Sequence, residues 1–184
     1  MPQPLPFMHL NFQIHSSNID AFIDHWANTY AEKPDEEDAI YLQNIGQPLT
    51  SQSLRELFEW KNGRSISKRK TESIMKNYPI LFGGEPQDRY LNYRLPGGAI
   101  WNIFYLHCLD HVRWPIFDQH TYRAMNYMTT KIISEIPESN RQKYSVYQNE
   151  YIPFYGSMHI IGCRNLDRAL FSFGKFLKTA KRYA

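Results

Sequence analysis

Three groups of side chains in this 184-residue chain have types and spacings suited to chemistry. The first is a single carboxylate, Asp118, set between Trp114-Pro115-Ile116-Phe117 and Gln119-His120-Thr121-Tyr122-Arg123. An Asp immediately before a helix accepts hydrogen bonds from the first free N–H groups, a cap worth about 1 kcal/mol. The same restraint leaves a rigid, partly desolvated anion able to stabilise positive charge on a reacting centre or to orient a water. The second group is Leu95-Pro96-Gly97-Gly98, a turn between two helices. The helix that follows it offers unpaired N–H donors and the positive end of its dipole, which suit a phosphate oxygen. The third is His107 and His111, one helical turn apart, with Asp110, Asp118 and His120 close in sequence. Two histidines at that spacing can share a metal, as in a metal-dependent phosphohydrolase, although no complete ligand set is present. Each group also has a plainer use: a cap, a connecting turn, or histidines on a half-buried helix.

The elements that must position these groups read as helices almost throughout. Residues 1–16 look extended, because Pro2, Pro4 and Pro6 block a helix. Ser16, Ser17 and Asn18 are cap types, followed by Ile19, Phe22, Ile23, Trp26 and Tyr30 at helical spacing. Asp35-Glu36-Glu37-Asp38 suits the first turn of a second helix and reads as a solvated acidic face. A third helix carries Leu54, Leu57 and Phe58, is capped by Thr50 or Ser51, and ends at Asn62-Gly63. The basic stretch Lys61, Arg64, Lys68, Arg69, Lys70 and Lys76 overlaps a helix over 67–77. A short helix over 88–93 leads to the glycine turn. Asp118–Ile136 reads as one helix ended by Pro137, and 138–151 as a Tyr-rich helix interrupted by Pro153 and Gly156. Ser157–Gly162 is ambiguous. Asn165 caps a last helix with an apolar stripe of Leu166, Ala169, Leu170, Phe173, Phe176 and Leu177, and Lys175, Lys178, Lys181 and Arg182 toward its end. The expectation is a single, mainly α domain over 1–184, with roughly eight short helices.

Composition excludes several classes. Neither Cys108 nor Cys163 falls in zinc or iron–sulfur spacing, so both read as reduced thiols. No apolar run reaches membrane-spanning length, and the N-terminus lacks the basic start and apolar core of a secretory signal. These features predict a cytoplasmic protein without a membrane partner. The net charge of +3 is too small to argue for nucleic acid, so local clustering must carry that case. The aromatic share of 15% is high, and such rings serve cores or stack on flat ligands such as bases.

Leu95 to Met128 resembles the helix-hairpin-helix superfamily of DNA glycosylases. Leu95-Pro96-Gly97 matches the start of that family's hairpin, and Asp118-Gln119-His120-Thr121-Tyr122-Arg123 matches the Asp-x-His-x-x-Arg pattern of its endonuclease III branch. Trp114-Pro115 before the acid, Asn126 after it, and the hairpin-to-Asp spacing fit the same branch. The resemblance spans about 35 residues. There is no four-cysteine cluster of the iron–sulfur members. Ala99 stands where the second hairpin glycine is expected and Gly98 in the usual apolar position, which predicts a shifted hairpin. The position of the Schiff-base lysine of lyase-active members holds Trp101, as in the alkylation-repair branch.

The resemblance implies two helical lobes around a cleft and a monofunctional enzyme that flips out and excises a damaged or modified base. It implies no cofactor and no metal, and a monomer acting on double-stranded DNA. Asp118 would be the catalytic carboxylate and Trp101 would line the base pocket. Gly97, Gly98, Lys68 and Arg69 would contact phosphates, while His120 and Arg123 would brace the Asp118 helix. Alkylated or oxidised purines would be substrates in DNA repair; hypermodified phage bases would make this an antiviral defence protein. The alternatives are the metal-dependent phosphohydrolase built on His107, His111 and Asp118, and a non-catalytic DNA-binding module.

Overall fold

The computed structural model describes residues 18–30, 35–63, 65–94, 97–158 and 162–181. The N-terminal segment expected to be extended, Ser16, Ser17, Arg64, Leu95, Pro96, Arg182 and part of the ambiguous 157–162 segment lie outside them. Among the described residues the chain is mainly helical and contains no strand. Helix α1 spans Ile19–Asn28, α2 Asp35–Asn44, α3 Ser51–Asn62, α4 Lys68–Asn77, α5 Pro86–Tyr90 and α6 Ala99–Leu109. Then come α7 Gln119–Thr130, α8 Asn140–Val146, α9 Ile152–Ser157 and α10 Arg164–Ala180.

Local chemistry explains most boundaries. The side chain of Asn18 accepts from the Ala21 N–H to start α1. Thr50 rather than Ser51 caps α3, exchanging hydrogen bonds with Ser53. Gly63 ends that helix with a left-handed φ of 70°. Ser67 caps α4. The last helix starts at Arg164 after Cys163, so Asn165 is not its cap.

Two elements depart from their sequence patterns. The helix after Asp118 stops at Thr130, where Lys131 takes a left-handed φ of 63°. The hydroxyls of Thr129 and Thr130 bond back to carbonyls one turn earlier, and the Asn126 amide donates to the Ile132 carbonyl. The chain thus leaves α7 on side-chain bonds, well before Pro137. Conversely, Pro153 does not end the Tyr-rich helix. A π turn over Tyr147–Tyr151 joins α8 to α9 and carries the helical run past the proline, which lacks the N–H that an α ladder needs.

The core is built on α6 and α10. Ile103, Phe104 and Leu106 of α6 are buried together with Leu166, Leu170, Phe173 and Leu177 of α10. Helix α10 packs against both α1 and α7, α3 against α2 and α4, and α6 against α5 and α8. The α7–α10 contact is backbone-close: a Cβ on Gly174 would lie 1.9 Å from the His120 carbonyl oxygen. Only glycine allows that approach.

Candidate active site

Asp118 is the N-cap of α7. Its Oδ1 accepts from the His120 and Thr121 N–H groups at 2.8 and 3.1 Å. The Thr121 hydroxyl returns the arrangement by accepting from the Asp118 N–H at 2.9 Å. The segment leading to the acid is pinned from two sides. His107 Nδ1 bonds the Trp114 carbonyl at 2.8 Å, and the Tyr147 hydroxyl donates to the Pro115 carbonyl at 3.1 Å. Phe117 is buried between Tyr147 and Tyr151. The carboxylate is therefore held at both ends, by its own helix and by its approach.

The second oxygen, Oδ2, faces Lys61 Nζ at 3.1 Å. Lys61 belongs to the last turn of α3, and the two side chains are only 11% and 16% exposed. Although burial pushes the Asp118 carboxyl upward, Lys61 and the backbone N–H of Thr121 together hold it below its ordinary value. It is an anion at neutral pH. The sequence places Lys61 at the head of a basic stretch; in the fold it turns inward.

Asp118 and Lys61 open on a cavity of roughly 220 Å³. Trp60, Tyr30 and Phe171 supply aromatic wall, and Thr121, Arg164 and Asp167 supply polar groups. The volume falls below the roughly 300–1,000 Å³ of clefts for drug-sized ligands and suits a small group. Arg164 lies over the rings of Tyr30, Tyr41 and Trp60 at 5.2, 4.8 and 5.0 Å. Its guanidinium bonds Asp38 at 2.7 Å, and Arg168 pairs with the other oxygen of Asp38. Asp38 is thus buried at 2% exposure, an anchor for α10 rather than part of a solvated acidic face.

Asp167 is the second acid of the cavity. It is 6% exposed and accepts from the Tyr155 hydroxyl at 3.2 Å. Burial pushes its carboxyl up to about 6, against the pull of Arg164 and the Tyr155 hydrogen bond. The sequence reading missed it. A signal was there: Asp167, Leu170 and Gly174 share one face of α10, so this acid sits on the apolar side of its helix.

His120 and Arg123 brace the Asp118 helix. Arg123 is fully buried, donating to the Gly174 carbonyl at 2.9 Å and pairing with Glu135 at 2.6 Å. His120 packs on Phe171, and its Nδ1 lies 3.3 Å from the Arg123 guanidinium. Asn126 faces the end of α7 and takes no part in the cavity.

The remaining candidate residues lie elsewhere. Trp101 does not line the Asp118 cavity. It stacks on Phe58 at 5.7 Å, with Lys70 Nζ 4.3 Å above its ring. Gly97 and Gly98 both take positive φ, 111° and 79°. Ala99 is already the first residue of α6 and is buried, so no left-handed alanine is needed. The Ala99 N–H donates to the Asn140 side chain at 3.1 Å, which removes one donor from any phosphate. Lys68 and Arg69 are exposed in the first turn of α4.

The histidine pair has no free arrangement for a metal. His107 is buried, with Nδ1 on the Trp114 carbonyl and Nε2 2.9 Å from the Tyr41 hydroxyl. Burial pushes the imidazole down to about 3, so it is neutral with both nitrogens engaged. No group of three or more metal-ligating side chains occurs among the described residues. No helix among them is long and apolar enough to cross a membrane. Compared with protein-family models, curated proteins and solved structures, the chain matches none.

Proposed function

We propose that the protein is a DNA N-glycosylase in which Asp118 acts on a base flipped into the cavity beside it. The observation that carries this reading is the Asp118 carboxylate itself. Two backbone donors and Lys61 fix it as an anion on the wall of a small aromatic-lined cavity. Cleavage of an N-glycosidic bond builds positive charge on the sugar, and a preorganised anion stabilises that charge. At about 4 Å and an effective dielectric near 20, a lone charge pair contributes roughly 4 kcal/mol, about a thousandfold in rate; the Lys61 ammonium beside Asp118 opposes part of that field, so this is an upper bound. Aromatic walls suit an unstacked base. In this reading the helices form two lobes with Asp118 in the cleft between them. Lys68, Arg69, Gly97 and Gly98 face the DNA backbone, and the modified base is one of damaged or phage DNA.

The expected outcome is release of a free base from modified duplex DNA, with strand breaks appearing only after alkali. Asn caps a helix as well as Asp does, so Asp118→Asn tests the charge more than the cap. It should lose up to about a thousandfold in rate. Full activity in that variant would sink the mechanism.

Lys61 favours one further reading. No lysine stands on the hairpin helix where lyase-active relatives of the resemblance carry theirs, yet an amine from α3 reaches the carboxylate. Held 3.1 Å from the Asp118 carboxylate, its nitrogen is engaged in an ion pair rather than free to attack the sugar, which supports the monofunctional mechanism. Borohydride trapping decides: a covalent DNA adduct in wild type that is absent from Lys61→Arg would make the enzyme bifunctional.

A further inference from the structure

The cavity contains two carboxyl groups whose surroundings differ in kind. Asp118 meets two backbone N–H groups and an ammonium. Asp167, in the first turn of α10, receives one side-chain hydrogen bond among the described residues, from Tyr155. The charged and titratable groups around Asp167 come from every neighbouring element. Arg164 lies on its own helix, Tyr155 on α9, Lys61 on α3 and Asp118 before α7. Tyr41 of α2 and Tyr147 and Tyr151 of the π turn feel its charge as well. Arg164, the strongest of the cations, is already committed to Asp38. When two acids of one site are driven apart in this way, one serves as the anion and the other as the proton donor.

We infer that Asp167 is the general acid of the reaction, giving its proton to the departing base, so that the substrates are neutral bases bearing a proton acceptor. This rests on the glycosylase reading and deepens it. The C1′–N bond breaks with its electron pair going to the base, and the Asp167 proton moves to a nitrogen or oxygen of that base. Water adds to C1′ while Asp118 holds the sugar cation, and the water's spare proton passes by way of Asp118 to solvent, which leaves Asp118 ionised again. Asp167 then regains a proton from solvent. One water is consumed, and a free base and an abasic sugar form. A base already cationic through ring alkylation departs without that proton and gains nothing from Asp167. Tyr155 is a positioning residue: its hydroxyl stabilises the anionic form of Asp167.

The test follows base release against pH from duplexes carrying one 8-oxoguanine, hypoxanthine, 5-hydroxymethylcytosine or 7-methylguanine. For a neutral base, wild-type release should fall above a pH of about 6. Asp167→Asn, nearly isosteric and still able to accept from Tyr155, should lose that alkaline limb and about 10²- to 10⁴-fold in rate. Tyr155→Phe should move the limb to higher pH, a shift that a purely structural role would not produce. Should Asp167→Asn fail to fold, a limb left in place by Tyr155→Phe overturns the assignment. So does an Asp167→Asn enzyme that keeps the wild-type rate and limb, or a wild type that releases only 7-methylguanine. No base released from any probe overturns the glycosylase reading, and the acid with it.

Discussion

The seam between α7 and α10 and the edge formed by the glycine turn and the start of α4 are both rich in cations, but they use them differently. In the seam, Arg123 is buried against Glu135 and the Gly174 carbonyl, Arg164 against Asp38, and Lys61 against Asp118. Every one of those charges has a fixed partner. At the edge, Lys68 and Arg69 are exposed and make no ion pair among the described residues. They also occupy the first turn of α4, where a helix dipole favours anions. A charge locked into a buried pair sets geometry, whereas an unpaired surface charge is available to a partner. The difference divides the molecule into a part that holds reacting groups still and a part that can meet a polyanion.

The largest effect is expected in the seam. Gly174→Ala drives a Cβ into the His120 carbonyl and should cost about 3 kcal/mol, read as a drop in melting temperature. It should also reduce activity, because the same residue, His120, donates its N–H to the Asp118 cap. A stable, active Gly174→Ala protein would mean that α7 and α10 do not meet at their backbones.

His107 links α6 to the approach to Asp118, and pH reports on it. Its imidazole is neutral in the fold down to about 3, against 6.5 when free, so the unfolded chain takes up the proton first. The stability it contributes is complete above 6.5 and is lost as pH falls from there toward 3. His120, also lowered, adds to the same slope. Replacing His107 with Gln should flatten the fall of unfolding free energy with acid in denaturant melts. Asp167 works in the opposite sense: its raised carboxyl favours the fold as pH falls below about 6.

Changes at the edge should be smaller for stability and larger for binding. Gly98→Ala meets open space but a φ of 79°, and should cost about 1–2 kcal/mol. The paired change Lys68→Ala with Arg69→Ala should leave the melting temperature within about a degree or two. If both touch phosphates, the slope of log binding constant against log salt should become shallower by nearly 2. An unchanged slope would remove this edge from any DNA interface.

Legibility in the sequence followed distance along the chain. The Asp118 cap was readable because its partners, His120 and Thr121, lie within three residues. So were the helices over 19–28 and 51–62, each with a local cap and an apolar stripe, and the one over 68–77, with a local cap and Ile74 buried. Where local bonding was misread, boundaries moved. Two threonines and Asn126 stop α7 before its proline, and a π turn carries another helix across Pro153. Trp101 shows the limit of a motif: its sequence position fits the pattern, but its ring lies against Phe58 and Lys70 and outside the Asp118 cavity.

By itself the sequence determined a mainly helical chain and one carboxylate fixed at a helix start, because capping and 3.6-residue periodicity are local physics. Only the tertiary structure decided what faces that carboxylate. Lys61 comes from 57 residues away, and Asp167 arrives from a helix whose register is set by the Gly174–His120 contact. Their roles depend on desolvation and on neighbouring charge, quantities that exist only once α3, α7 and α10 have closed around the cavity.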